Sequence, residues 1–405
     1  MPTYQELRRT PEFTPLVLVC ALQAAATTVS GLALATLVYA ATASPLLAAL
    51  SMFGGSFAQV AGAAALMSAA DRLAPRAATA ALALGFAVST ALLAAPGLPL
   101  VAVFAVLLCQ GLAASVGGGV RFGLLGEILP REHRLLGRSV LNMSAGGVQI
   151  CGFAVGAALL GVLTPRGTLL AGAFLYAAAA AAALRGLGRR APRATGRLSA
   201  GATWRVNSLL WASRSRRLLY LGLWVPNGLI VGCESLFVPY APGHAGQLFA
   251  ASAVGMLAGD TVAGRLLGAR LRRRLPVPLL LLLAAPYPLL ASRPPLPAAV
   301  AALAVGSFGY AASLLQQEQL MALVPDGLMG QALGLHSSGM LACQGLGAAL
   351  AGAVAQRVPA GTAMAVIAAA SVAVTLALAA GSGRIRGPRR RVERRRRAPQ
   401  RVSEG

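Results

Sequence analysis

Two carboxylate residues, Glu234 and Asp260, interrupt long apolar runs in this 405-residue chain. If those runs cross a bilayer, an ionisable group inside them points to an ion or substrate path or a proton relay, because charge in hydrocarbon is costly. Glu234 lies 17 residues beyond Arg217, roughly 26 Å along a helix at about 1.5 Å per residue. Asn227 is two turns earlier on the same face, and Pro226 and Pro239 would bend the helix and turn carbonyls toward a cavity. Low dielectric favours the neutral form of a carboxyl group, so Glu234 could take up and release a proton as its surroundings change. The bland alternative is a glutamate at a wet outer rim. Asp260 stands five residues before Arg265. Pairing with the arginines there is the expectation, and a gate in which that pair breaks is compatible with it.

Neutral polar residues repeat at helical spacing. Gln23, Thr27 and Ser30 share one face, as do Tyr310, Ser313 and Gln317, and Gln110 is the polar residue at the middle of its apolar run. Such stripes face protein or water and not lipid, either as ligand contacts or as helix–helix hydrogen bonds worth roughly 0.6–2 kcal/mol each. His336 reads as a hydrogen-bonded core histidine in preference to a proton relay. Asp71, Arg72, Arg76 and Glu127 mark helix ends, where opposite charges can latch and release. The alternative for these four is topology plus exposed ion pairs worth ~0–1 kcal/mol. Cys20, Cys109, Cys151, Cys233 and Cys343 are single and read as buried small apolar residues, with no metal-ligand spacing. The chain has no lysine and therefore no phosphate-binding loop of the Gly-x-x-x-x-Gly-Lys-Ser/Thr kind, which excludes ATP-driven pumping by this chain.

The elements that hold these residues follow from composition. The chain is 57% apolar and 11% charged, where a soluble globular protein carries about 25% charged residues. It is an integral membrane protein, and an ordinary water-soluble enzyme is excluded. Apolar runs long enough to cross about 30 Å of hydrocarbon fall near 15–40, 45–70, 77–95, 99–120, 139–163 and 167–184, then 218–241, 245–263, 275–291, 296–317, 331–356 and 360–380. These are spans 1 to 12. The ninth is short and carries Pro276, Pro278, Pro286 and Pro288. The first is too long to be a cleavable signal peptide.

All 35 basic residues are arginine. With both termini in the cytoplasm, 32 of them fall on the cytoplasmic side and only Arg166, Arg293 and Arg357 outside, as the positive-inside rule requires. The loop 318–330 is the misfit: it has no arginine and carries Glu318 and Asp326. The net charge of +24 therefore meets anionic lipid head groups and not nucleic acid. The tail from Gly381 is expected to be a disordered, lipid-facing anchor. The stretch around Trp204 and Trp211 is expected to be an interfacial helix.

A shift of 193 residues superposes the halves. Gly62, Ala70 and Arg72 fall on Gly255, Ala263 and Arg265, while Gly137, Ser144, Gly146 and Gly152 fall on Gly330, Ser337, Gly339 and Gly345. Two parallel six-span repeats with a site between them are implied. The loop MSAADRLAPRA resembles the Gly-x-x-x-Asp-Arg-x-Gly-x-Arg-Arg pattern of the major facilitator superfamily at Asp71, Arg72 and Arg76, departing from it at Met67, Ala74 and Ala77. Gln110, Gly111, Glu127, Pro130, Arg134 and Gly137 resemble the family's span-4 end, with Leu107 where the family has arginine. Span 5 has Gly147, Gly152 and Gly156 without the Gly-Pro pair of antiporters.

The resemblance covers residues 12 to 380 and lies with the efflux-like branch. It implies an all-α fold of twelve transmembrane helices in two six-helix bundles, with spans 1, 4, 7 and 10 lining a central cavity and the rim charges setting the inward–outward balance. Expected domains are 1–184, a basic cytoplasmic linker at 185–217, 218–380 and an arginine-rich tail at 381–405. The expected cavity residues are Glu234, Asn227, Gln23, Thr27, Gln110, Tyr310 and Gln317. The gate residues are Asp71, Arg72, Arg76, Glu127, Asp260 and Arg265.

The function expected is secondary transport without a cofactor, as proton-coupled export of a small lipophilic compound by a monomer in a bacterial inner membrane. Proton-coupled import or facilitated diffusion is the alternative. A non-transporting protein that binds a partner through its basic tail is the alternative of another class.

Overall fold

The computed structural model describes residue 7 and residues 10–70, 73–130, 133–192, 200–325 and 328–396. Side chains at 64–70, 122, 134–136, 138–139, 142–143, 145–146, 150, 200–204, 206, 269, 330 and 382–396 are likewise not described. Spans 1, 3, 4, 5 and 6 are the single helices Phe13–Thr42, Pro75–Leu93, Leu100–Ile128, Arg134–Val162 and Pro165–Gly186. Span 2 is Pro45–Phe53 and Gly55–Ala70; span 7 is Arg214–Glu234 and Phe237–Tyr240; span 9 is Pro276–Ala284 and Pro286–Leu290. Span 8 is Ala245–Arg265, and span 10 is Leu296–Ser307 and Ala311–Met321 joined by a 3-10 turn at Phe308–Tyr310. Span 11 is Met329–Ala355 and span 12 Ala360–Arg396. By length and apolarity alone, nine helices among the described residues could cross a membrane, with shorter apolar helices at Gly147–Val162 and Pro276–Leu290.

Local chemistry sets the ends. Ser44 and Thr164 cap the helices that follow by accepting hydrogen bonds from Leu47 N and Gly167 N, with proline at the first helical position in each case. Span 9 breaks at Ala285 because Pro286 brings no backbone N–H.

The two halves repeat each other contact for contact. Span 1 packs on 5 and 6, span 2 on 4, and span 3 on 6; likewise span 7 packs on 11 and 12, span 8 on 10, and span 9 on 12. The repeat is visible in single residues. A Cβ at Gly62 would strike Ser115 of span 4, and one at its counterpart Gly255 would strike the Ala304 carbonyl of span 10. Spans 7 and 11 also approach very closely, since a Cβ at Gly228 would lie 2.5 Å from the Cys343 carbonyl oxygen.

The bundles meet where span 5 faces 8 and span 2 faces 11. At the end opposite the 185–217 linker, Phe153 stacks on Phe249 at 4.7 Å, Gly246 fits against Ala157, and Gln356 donates to Ser44. The seam continues inward to Phe57, which lies against Gly345. This far end is closed.

Four expectations change. Span 4 does not end at residue 120, because Gly117, Gly118 and Gly119 are carried through by the helix to Ile128, so Arg121 and Glu127 belong to it. The linker helix Ala200–Ala212 does not lie free at the interface. Its Trp211 stacks on Tyr220 and Trp224 of span 7, at 6.2 and 5.6 Å, and Leu210 is buried beside them. The tail is helical as far as Arg396, where arginine is a good helix former and favourable near the C-terminus. Among the cysteines, Cys109 and Cys151 are exposed on helix surfaces.

Gly228→Ala should force spans 7 and 11 apart at a cost of about 1–3 kcal/mol, read as a lower unfolding temperature in detergent. Gly118→Ala, where a Cβ meets nothing within 4 Å, should be neutral or mildly stabilising. Equal losses at both positions would contradict this packing.

Candidate functional site

Span 7 stops being helical immediately after Glu234. The carboxyl group is buried at 8% relative exposure, so it is not on a wet rim, and its Oε1 makes no hydrogen bond. The phenols of Tyr310, from the 3-10 turn of span 10, and Tyr287, just past the break in span 9, lie within electrostatic reach of it. Both rings are buried; the Tyr310 hydroxyl faces the Glu234 carboxyl as a hydrogen-bonding neighbour, and the Tyr287 hydroxyl has no hydrogen-bond partner among the described residues. Three buried polar groups that are incompletely satisfied thus sit together at irregular points of three helices. Buried polar atoms are almost always satisfied, so such a cluster is the kind of place where a proton or a small polar guest changes the energy most. Tyr310 and Glu234 were legible as candidates. Tyr287 was missed because its proline-rich span offers no polar stripe.

Asn227 is buried one step deeper in the same helix. Its Oδ1 accepts a 3.3 Å hydrogen bond from Gln344 of span 11, and the Pro226 carbonyl accepts one from Ser371 of span 12. The proline's own carbonyl is thus engaged by a side chain of span 12. His336 accepts from Trp224 Nε1 at 3.3 Å, as expected of a core histidine. Gln317 is half-buried, and its neighbour Gln316 is the buried one, with Oε1 unpartnered and Nε2 toward Gly222.

The N-terminal polar residues form a separate group. A cavity of about 160 Å³ lies among spans 1, 2, 3, 4 and 6, where Thr27, Ser30, Ser51, Ser56, Gln59, Thr90 and Gln110 supply its polar lining. Thr27 pairs its hydroxyl with Tyr176 at 2.8 Å and also donates to the Gln23 carbonyl. Gln110 donates to Ser89 Oγ at 2.7 Å and to Thr90 Oγ1 at 3.2 Å. The structure thus divides the expected cavity residues into an N-half group around Thr27 and Gln110 and a C-half cluster around Glu234. Gln59, Ser51 and Ser56 escaped the sequence reading because only spans 1, 4, 7 and 10 were expected to line the cavity.

At the linker end, Glu127 meets Arg190 (Nε to Oε2, 3.4 Å), and Arg190 also grips Glu12. This triad binds the start of the linker to the N-half bundle, an association the gate assignment of Glu127 did not foresee. Asp260 is half-buried and has no ion pair among the described residues; Arg265 is exposed, and the two do not meet. Helical geometry explains it: five residues place them on different faces. Asp71 and Arg72 lie outside the described residues, and Arg76 makes no ion pair among the described residues. The misfit loop is resolved by Glu318, which pairs with Arg272 at 3.2 Å, while Arg272 also donates to the Leu267 and Gly264 carbonyls.

No protein-family model matches the chain, and no curated protein sequence matches it. Solved structures do match in fold. One, a POT family transporter in complex with 5-aminolevulinic acid, aligns with a TM-score of 0.70 at 12% identity over 92% of this chain and 96% of that one. A peptide transporter POT in complex with sulfate gives 0.67 at 14% identity, covering 95% and 99%. The nucleoside transporter NupG gives 0.65 at 15%, covering 91% and 98%. The chain has the major facilitator fold, as two six-helix bundles related by a pseudo-two-fold repeat.

The hydrogen bond from Arg190, joined by one from Gly188 N, holds the Glu12 carboxyl below its ordinary value of 4.5. A lowered folded-state value means that the stabilisation is complete above the ordinary value and vanishes as pH falls through the lowered one. Glu12→Gln should therefore lose about 1 kcal/mol at pH 7, with the gap to wild type in unfolding temperature closing under strong acid. A pH-independent gap would contradict the pairing.

Proposed function

We propose that this chain is a secondary transporter that exports a small lipophilic organic compound in exchange for protons, by rocking of its two bundles, with Glu234 as the coupling group. The observation that carries the reading is the burial of Glu234 at a break in span 7, with Oε1 unpartnered among the described residues and the phenols of Tyr310 and Tyr287 close by. Discontinuous helices are where transporters of this kind hold ions and substrates. The matched solved structures are of peptide and nucleoside transporters, which supports transport as the general role.

The steps follow from electrostatics. With the far end open, water reaches Glu234 and it exchanges a proton with the outside. Once the far end closes over Phe153, Phe249, Ser44 and Gln356, only the neutral acid is cheap to bury. Opening at the linker end releases the proton to the cytoplasm; the compound then binds against the vacated carboxylate and shields it, and the return of the loaded carrier delivers the compound outside. One proton moving through 100 mV contributes about 2.3 kcal/mol.

The arginine distribution supports placing the linker end, both termini and the basic tail in the cytoplasm of a bacterial cell, against anionic head groups. Domains at 1–184 and 218–380 around the 185–217 linker, with the tail from 381, belong to this reading, as does a monomer. Asp71, Arg72, Arg76, Glu127, Asp260 and Arg265 remain the proposed gate charges, now without a pair between the last two. Import is the second reading, favoured by one observation: span 5 lacks the Gly-Pro pair of antiporters.

In inverted vesicles with a preset proton gradient, some member of a panel of lipophilic drugs and secondary metabolites should collapse the gradient with wild type. Glu234→Gln should abolish that response, and Tyr310→Phe should shift its pH dependence while leaving it active. A compound moved equally by wild type and Glu234→Gln would sink the coupling assignment.

A further inference from the structure

A second cavity lies outside the polar groups already described. It is a groove of about 670 Å³ between spans 3 and 4, open to the side and lined by residues such as Leu82, Gly85, Phe86, Ala105, Cys109 and Ala113. It runs from Leu73 and Ala74, where span 3 begins, to Ser89 in its later turns. Its volume falls within the usual range for ligand pockets, about 300–1,000 Å³. An apolar groove at membrane depth offers water no partners and takes hydrocarbon instead.

Polarity appears only at the groove's inner end, at Ser89 and Gln110, and Gln110 also lines the polar N-half cavity. The wall between the two spaces is therefore the amide of Gln110, held by hydrogen bonds to Ser89 and Thr90. Exchange of those two bonds for bonds to a ligand would join an apolar space to a polar one. The arrangement matches one ligand chemistry: a hydrocarbon chain carrying a hydrogen-bonding, uncharged head.

We propose that the span 3–span 4 groove is a lateral binding site for the apolar chain of a neutral amphiphile drawn from the bilayer, with Gln110 receiving its head at the entrance to the polar cavity. The proposal deepens the transport reading by naming the substrate class and its route, and rests on that reading only for the steps after binding. Gly85 gives a clean handle. A Cβ there meets nothing within 4 Å, so a larger side chain enters the groove without disturbing the helix, which glycine weakens in any case.

The test uses the full chain in phosphatidylcholine vesicles and a diazirine-bearing hexadecanol as the photoprobe. Wild type should show saturable labelling of peptides spanning 81–90 and 105–114, displaced by plain hexadecanol and not by added phosphatidylcholine. Gly85→Phe, or Ala81→Phe as an independent filling variant, should cut that labelling at least tenfold with an unchanged unfolding temperature. Gln110→Leu should weaken hexadecanol more than hexadecane as competitor. Labelling that rises linearly with probe, or that survives both filling variants, would mean ordinary annular lipid and overturn the proposal. Because the readout is binding, it needs neither a proton gradient nor turnover. Failure of proton coupling and failure of this site are thereby told apart.

Discussion

Hydrocarbon supplies no hydrogen bonds, and each backbone amide in this chain must find its partner inside its own helix. That constraint decides the architecture. Helices that satisfy themselves can approach closely only where side chains are small, so contacts concentrate on Gly228 against Cys343, Gly255 against Ala304 and Gly111 against Gly55. Lipid tails are as apolar as leucine, so close van der Waals fit and a few polar bonds, not hydrophobic burial, hold the bundles. Gln110 with Ser89 and Thr90, Thr27 with Tyr176, and Asn227 with Gln344 are bonds of that kind.

Against that economy, the group around Glu234 stands out. Asn227, Thr27, Gln110 and His336 have each found a neutral partner, whereas among the described residues Glu234 Oε1 and the Tyr287 hydroxyl have none and Tyr310 has only the Glu234 carboxyl to face. They come from spans 7, 9 and 10, each interrupted close to the residue concerned. A carboxyl group in such a place is stable as the neutral acid while the bundles close over it, and gives up its proton once water returns. The far-end contacts supply the closure, and the proposed exchange of a proton for a compound needs no other moving part. The span 3–span 4 groove adds a way in for a molecule that never leaves the bilayer.

Much of this was legible in the sequence. Apolar runs and the prolines between them placed all twelve spans, and the shared offset of 193 pairs Gly62 with Gly255, which perform the same packing task in the two halves. Glu234 was legible because a lone carboxylate among apolar residues is conspicuous. What escaped depends on tertiary neighbours. Span 4 reads as ending at residue 120, with Arg121 opening the loop, yet the helix continues to Ile128. The partners Tyr287, Gln344 and Tyr176 lie 53 to 149 residues from the groups they face, beyond any local pattern. Trp211 reads as an interfacial anchor until Tyr220 and Trp224 are seen beneath it.

The most direct measurement is the infrared carboxyl signature of Glu234, recorded against Glu234→Gln over a pH series. It should be run with the far end free and then cross-linked through Ser44→Cys and Gln356→Cys. The account predicts a protonated-acid band, absent in Glu234→Gln, that responds to pH on the linker side alone once the far end is locked and to both sides when it is free. A band that follows pH on both sides in the locked protein, or no protonated acid at any pH, would contradict it.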